Sequence, residues 1–151
     1  MKLSEHFDMA EFTASDTAAR RGIDNTLPDS MLPTAHATAQ MMERVRTDLG
    51  GFPIILTSGY RCPALNAAIG STSTSDHIKA MAVDIRCPAF GCAFDVARYL
   101  AGGRRMEELG IGQIIYEFDS WVHISIRMPD KLINRILTIN AAGTQAGVQR
   151  A

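Results

Sequence analysis

Apolar residues recur along the chain with two different periods, one typical of helices and the other of strands. Within residues 30–51 they return every three or four positions, which predicts one long amphipathic helix. Asp29 or Ser30 is a suitable N-cap for this helix, and Gly50 and Gly51 end it. Its apolar face comprises Leu32, Ala35, Ala39, Met42, Val45 and Leu49.

Shorter apolar runs, separated by glycine-rich or polar stretches, predict the remaining elements. Buried strands are predicted over residues 52–60 and 80–85, and a hairpin over 111–127 with its connection at 118–120. A further strand is predicted over 134–140, and helices over 63–70 and 90–103. This mixed order favours an α+β fold, a small and mostly antiparallel sheet flanked by helices.

The length of 151 residues favours one domain. We expect it to cover residues 1–140, with residues 1–28 as an N-terminal arm that contains one short helical piece. The segment 141–151 has few apolar residues to bury, so we expect a flexible tail.

Charge and composition exclude several classes of partner. The net charge of −1 and the pI near 6.4 give no electrostatic footprint for nucleic acid. No signal-peptide pattern or membrane-length apolar run is visible, so we expect the protein in the cytoplasm of its producing cell, with no membrane insertion. Three cysteines, at positions 62, 87 and 92, match neither a disulfide framework nor a cysteine zinc site and are expected to be reduced thiols.

Three polar residues in apolar surroundings are candidates for a metal site. His77 lies in a turn before a strand, Asp84 lies within that strand, and His123 lies in the middle of the apolar run "WVHISI". A buried carboxylate needs a cation or hydrogen-bond donors, and catalytic zinc takes three protein ligands. The alternative is a satisfied core histidine and an aspartate bonded to backbone donors. His6 and His36 lack a second histidine at a helical metal spacing and are predicted to be structural.

The segment "LTSGYRCPALNAAIGSTSTSDHIKAMAVDI", followed by "WVHISIR", resembles the zinc D-Ala-D-Ala carboxypeptidase family. That family includes cell-wall carboxypeptidases and phage endolysin peptidases, and it shares its core with the hedgehog signalling domain. The resemblance implies a Zn²⁺ ion on His77, Asp84 and His123. It also implies that Arg61 grips a substrate carboxylate and that Ser75 lies close to the substrate.

Trp121 is a candidate substrate-binding residue that is expected to pack under the metal site, with a plain core role as the alternative. The sequence departs from the family at two positions. Ala80 stands where relatives often have glycine, and Ser120 stands where many relatives have an acidic general base. Two nearby carboxylates could replace that base, Glu117 and Asp119.

Loop length in the hairpin decides which side of the sheet Glu117 faces. A three-residue loop pairs Glu117 with Trp121 and directs both side chains to the face of His123, whereas a two-residue loop directs Glu117 away. Aspartate is common in turns for local reasons, so we favour Glu117 over Asp119 as the base.

The resemblance therefore implies a zinc-dependent peptidoglycan peptidase. The bond cut in the stem peptide would be of the D-Ala-D-Ala carboxypeptidase or L-Ala-D-Glu endopeptidase type. We expect a phage or prophage lysis enzyme that acts on the cell wall after release, or a virion component with a virion protein as partner. The alternative is a catalytically inactive, zinc-bearing domain with a cell-wall-binding or structural role.

Overall fold

The computed structural model describes residues 1–129 and 135–150. The α-helices are α1 (Met9–Thr13), α2 (Asp16–Arg21), α3 (Leu32–Asp48), α4 (Pro63–Ala68), α5 (Ala93–Ala101) and α6 (Arg105–Leu109). The strands are β1 (Ile55–Ser58), β2 (Ala82–Arg86), β3 (Ile111–Glu117), β4 (Trp121–Ile126), β5 (Arg135–Asn140) and β6 (Gly143–Ala146). Two 3-10 helices, Asp29–Met31 and Asp76–Lys79, precede α3 and β2.

The six strands form one sheet in the order β1-β2-β4-β3-β5-β6. All neighbouring strands pair antiparallel except β3 and β5, which are parallel. The α+β fold with a mostly antiparallel sheet is therefore confirmed. The hairpin prediction is also confirmed, because Glu117 pairs with Trp121 across a three-residue loop.

The two faces of this sheet serve different purposes. Alternate residues of the central strands, including Val83, Ile114 and Ile124, join the hydrophobic core together with α3 and α5. The intervening residues point to the opposite face, because successive side chains of a strand alternate. Asp84 and His123 lie on that second face, directly opposite each other across β2 and β4.

The N-terminal arm packs onto the core rather than extending from it. Leu3, Phe7 and Phe12 are all nearly fully buried. His6 Nδ1 lies 2.8 Å from a carboxylate oxygen of Glu43 on α3, so His6 fastens the arm to that helix. His36 Nδ1 bonds to the Leu3 carbonyl oxygen, at 2.8 Å. Both histidines thus have structural partners, as the sequence predicts.

Three details differ from the sequence-based expectations. The run 52–60 is not a buried strand: β1 lies at the sheet edge and Ile55 is 44% exposed, since apolar content alone does not reveal an edge. Neither Asp29 nor Ser30 caps α3, because the 3-10 turn places Met31 at the N-cap. The segment 141–151, expected to be a flexible tail, contains the strand β6, which pairs with β5 through backbone groups.

The cysteine prediction agrees with the structure. Cys87 is buried, Cys62 is half-buried and Cys92 is exposed, and none of the three forms a disulfide. Among the residues that the structure describes, no helix is long and apolar enough to cross a membrane.

Candidate metal centre

Three side chains predicted as metal ligands meet at one point. His77 Nε2 lies 3.2 Å from Asp84 Oδ1, His123 Nδ1 lies 3.1 Å from the same oxygen, and the two nitrogens are 3.1 Å apart. The three donor atoms therefore form a nearly equilateral triangle. All three residues are buried.

Local structure explains why these residues converge. Asp84 and His123 are cross-strand partners in the antiparallel pair β2–β4, so their side chains stand next to each other on one face. His77 comes from the 3-10 helix just before β2, whose N-cap is Ser75. The Ser75 hydroxyl accepts the backbone N–H of His77, at 3.3 Å. Ser75 thus helps to place the first ligand.

Hydrogen bonds on the far side of each ring favour the tautomers that metal binding requires. His77 Nδ1 donates to the carbonyl oxygen of Gly59 at 2.6 Å, which leaves the lone pair on Nε2. Ser125 Oγ lies 2.9 Å from His123 Nε2 and accepts its N–H, which leaves the lone pair on Nδ1. Burial lowers the pKa of His77, so its ring favours the neutral form that can donate a lone pair.

This donor set fits zinc. Two imidazole nitrogens and one carboxylate oxygen are a ligand combination that catalytic zinc takes, with a fourth position left for water. Ligands of a tetrahedral zinc ion with bonds of about 2.0–2.1 Å lie about 3.3–3.4 Å apart. The observed separations of 3.1–3.2 Å are close to that spacing. Two lone pairs and a carboxylate facing one another also need a cation between them.

Arg61 holds the other oxygen of the aspartate. Its Nη2 donates to Asp84 Oδ2 at 3.1 Å and its Nε to Ser58 Oγ at 3.1 Å. Burial alone would raise the pKa of Asp84, but the neighbouring His77 and His123 outweigh it and hold that pKa well below its usual range. Asp84 is thus a carboxylate, the form that binds metal. Arg61, predicted to grip a substrate carboxylate, uses two of its five N–H donors in these bonds.

Glu117 faces the same site. It pairs with Trp121 at the end of the hairpin, and its Oε1 lies 3.9 Å from His123 Nδ1. Burial, followed by repulsion from Asp84, raises the pKa of Glu117 above its ordinary value. The three-residue loop is therefore the arrangement that brings this carboxylate to the metal group.

Asp119, the alternative base, points elsewhere. It accepts a hydrogen bond of 2.6 Å from the hydroxyl of Tyr116, a residue whose side chain packs with the helices on the opposite face of the sheet. Phe118 and Asp119 both have positive φ angles, of 50° and 53°, which turn the chain sharply beyond Glu117. Asp119 does not line the cleft described next.

A cleft of about 500 Å³ opens over the metal group. Its walls contain Arg61, Ser75 and Glu117, together with the two histidine ligands. Trp121 lies outside this lining, and its ring stacks against the exposed Phe118 with a centroid distance of 5.7 Å. The Trp121 indole N–H is buried and has no well-formed hydrogen bond among the described residues, although the indole is close enough to Glu117 to lower that pKa.

Two residues that orient the histidine ligands were not predicted from the sequence. Gly59, in the "SGYR" turn, supplies the carbonyl that orients His77, and Ser125 orients His123. Ser125 could have been found, because it follows His123 by two positions in a strand and so shares its face. The contact of Gly59 depends on tertiary structure and has no local signal.

The comparison with known families agrees with this geometry. The family model described as Peptidase M15 matches residues 5–125, well over half of the chain, and the matched span contains the metal group, Arg61 and Glu117. No curated protein sequence matches the chain. The chain therefore belongs to the peptidase M15 family, the zinc D-Ala-D-Ala carboxypeptidases, and is a zinc peptidase for peptidoglycan-type substrates.

Proposed function

We propose that this protein hydrolyses one bond of the peptidoglycan stem peptide, of the D-Ala-D-Ala or the L-Ala-D-Glu type, with Glu117 as general base. The observation that carries the proposal is the Glu117 carboxylate, 3.9 Å from His123 Nδ1, in the same cleft as the three metal donors. A base at this distance can reach a water held between itself and the metal group.

The mechanism assigns one task to each side chain. Zinc held by His77, Asp84 and His123 would lower the pKa of a water and polarise the scissile carbonyl. Glu117 Oε1 takes the proton from the attacking water and returns it to the leaving amine. Arg61 orients Asp84 through Nη2 and lines the cleft, and its Nη1, which makes no hydrogen bond within the described residues, is available to a substrate.

Ser120 stands at the position where many relatives have an acidic general base, and Glu117 supplies the carboxylate that this serine lacks. Ser120 donates its hydroxyl to the carbonyl oxygen of Phe118 at 2.8 Å, so it completes the turn and takes no part in proton transfer. Glu117 lies at the opposite end of the same three-residue loop. The cleft thus has a carboxylate where hydrolysis requires one, which favours an enzyme over an inactive wall-binding or structural domain.

We further propose a role in phage or prophage lysis, or in a virion. The support is the resemblance to a family that includes phage endolysin peptidases. In that setting the protein accumulates in the cytoplasm and meets the cell wall only after release, or reaches it as part of the particle with a virion protein as partner.

The test combines zinc content, amine release and product mass on a defined muropeptide. The wild type should contain one zinc per chain and release a new amino group, and the product mass identifies the bond. Glu117→Gln should keep its zinc and lose about 10²- to 10⁴-fold in kcat. Asp119→Asn, the matched control, should stay within about threefold of wild type.

Two results would contradict the proposal. Stoichiometric zinc without any amine release by the wild type would support the inactive wall-binding domain instead. Loss of activity in Asp119→Asn, with activity retained in Glu117→Gln, would reverse the assignment of the base.

A further inference from the structure

The cleft extends past the metal group to a second arginine. Its far end is lined by Gln113 on β3 and Arg135 at the start of β5. The Peptidase M15 match ends at residue 125, so β5 is an element that this chain adds to the matched span. Arg135 therefore belongs to the same cavity as the metal group but lies outside the matched family region.

Strand register fixes the position of Arg135. Gln113 pairs with Ser125 on one side and with Arg135 on the other, so the three residues form one row across the sheet. His123 lies in the neighbouring row, two residues along β4 and two strands away. With strands about 4.8 Å apart and about 3.3 Å per residue, the Cα atoms of His123 and Arg135 are about 12 Å apart.

The two arginines of the cleft differ in whether their charge is paired with a carboxylate of the protein. Arg61 is half-buried and forms an ion pair with Asp84, so its charge is already balanced within the protein. Arg135 is exposed and forms no ion pair with any residue that the structure describes. The lining of the cleft also includes the neutral hydroxyls of Ser71, Thr72 and Thr74 and the carboxyl groups of Asp76 and Glu117. The unbalanced positive side chain of the cleft thus lies at the end remote from the metal group.

We propose that Arg135, assisted by the amide of Gln113, binds a carboxylate of the substrate at a distance from the scissile bond. This inference rests on the proposed function and specifies the substrate further. A guanidinium suits the task because its donors match the two oxygens of a carboxylate. An extended peptide advances about 3.3 Å per residue, so the carboxylate belongs to a residue roughly two to four positions from the cut.

The experiment uses synthetic stem peptides in which each carboxylate is replaced in turn by a carboxamide. For the wild type, one replacement should lower kcat/KM by about five- to twentyfold, the range for a charged hydrogen bond in a partly exposed cleft. In Arg135→Gln the ratio of kcat/KM for that carboxylate–carboxamide pair should fall towards one. Arg86→Gln is the matched control, since Arg86 is an exposed arginine of the same sheet and does not line the cleft. Its ratio should equal that of the wild type.

Equal ratios in Arg135→Gln and the wild type for every peptide would overturn the inference. Calorimetric titration of the same peptides into the zinc-loaded proteins separates this outcome from failure of the proposed function. An enzyme that cleaves nothing but binds the carboxylate peptide more tightly through Arg135 contradicts the hydrolysis and supports this inference. Cleavage with no preference for any carboxylate supports the hydrolysis and contradicts this inference.

Discussion

Asn25 joins the N-terminal arm to the turn that carries Arg61, and its removal tests whether the arm supports the site. The side chain is buried, with 8% of the residue exposed. Its Nδ2 donates to the carbonyl oxygens of Thr13, at 2.8 Å, and Tyr60, at 2.9 Å, while its Oδ1 accepts the N–H of Cys62 at 2.7 Å. Tyr60 and Cys62 flank Arg61, so one amide links the arm to the substrate side of the metal group.

The size of the effect follows from these three bonds. A hydrogen bond contributes about 0.5–1.5 kcal/mol net, and a buried polar group left without its partner costs about 1–3 kcal/mol. Asn25→Ala removes three hydrogen bonds. The carbonyl oxygens of Thr13 and Tyr60 and the N–H of Cys62 must then bond to water or remain without a partner. We therefore expect the free energy of unfolding to fall by about 3 kcal/mol.

The assay is urea unfolding followed by circular dichroism, with a chelator present so that bound metal adds nothing to the measured stability. Asn140→Ala is the matched control, because Asn140 accepts one local bond from Ala142 N in an exposed turn. Its loss should be below about 1 kcal/mol. If Asn25→Ala is no less stable than Asn140→Ala, the side-chain amide of Asn25 does not hold the arm in place.

Two further predictions concern the arm and the turn. Burial alone would raise the pKa of Glu43, but bonds from Ser4 and His6 lower it below its usual 4.5, so this carboxylate stabilises the fold above about pH 4.5. The stability that Glu43→Gln loses at pH 7 should therefore shrink as the pH falls below that value; a difference constant down to pH 3 would contradict this. A Cβ on Gly59 would lie 2.3 Å from the Phe12 carbonyl oxygen, so Gly59→Ala should displace the carbonyl that orients His77 and weaken zinc binding by about 10- to 100-fold. Zinc titration checks this against Gly102→Ala, whose Cβ would come no closer than 3.3 Å to the movable Arg105 side chain and 3.4 Å to the Tyr99 carbonyl oxygen; equal affinities would refute it.

Parts of the fold with a strong apolar pattern were predictable. The runs on either side of residues 118–120 predict the hairpin, and alternation within them fixes which side chains share a face. The strand β6 has no such pattern, because all four of its residues are exposed and backbone bonds to β5 hold it. The exposed edge position of β1 could not be predicted either, since its residues have the composition of a buried strand.

The identity of the candidate site residues could be predicted from the sequence, but their spatial arrangement could not. Asp84 and His123 lie 39 residues apart, and they meet only because β4, and not β3, lies beside β2. Strand order depends on the packing of the whole sheet, so the spacing along the chain leaves it open. The family resemblance supplied the ligand set, whereas the length of the hairpin loop places Glu117, and not Asp119, in the cleft.

The metal group and the proposed substrate site are connected through the charge of Arg61. Two lone pairs and the Asp84 carboxylate converge within 3.2 Å, an arrangement that needs positive charge around it. Arg61 supplies part of that charge through Asp84 Oδ2 and is committed to it at 14% exposure of its side chain. An arginine already balanced by a metal ligand attracts a substrate carboxylate weakly, because its own field is largely neutralised. A distant carboxylate is therefore better bound by a second cation that has no partner in the described chain, and Arg135 occupies that position in the cleft.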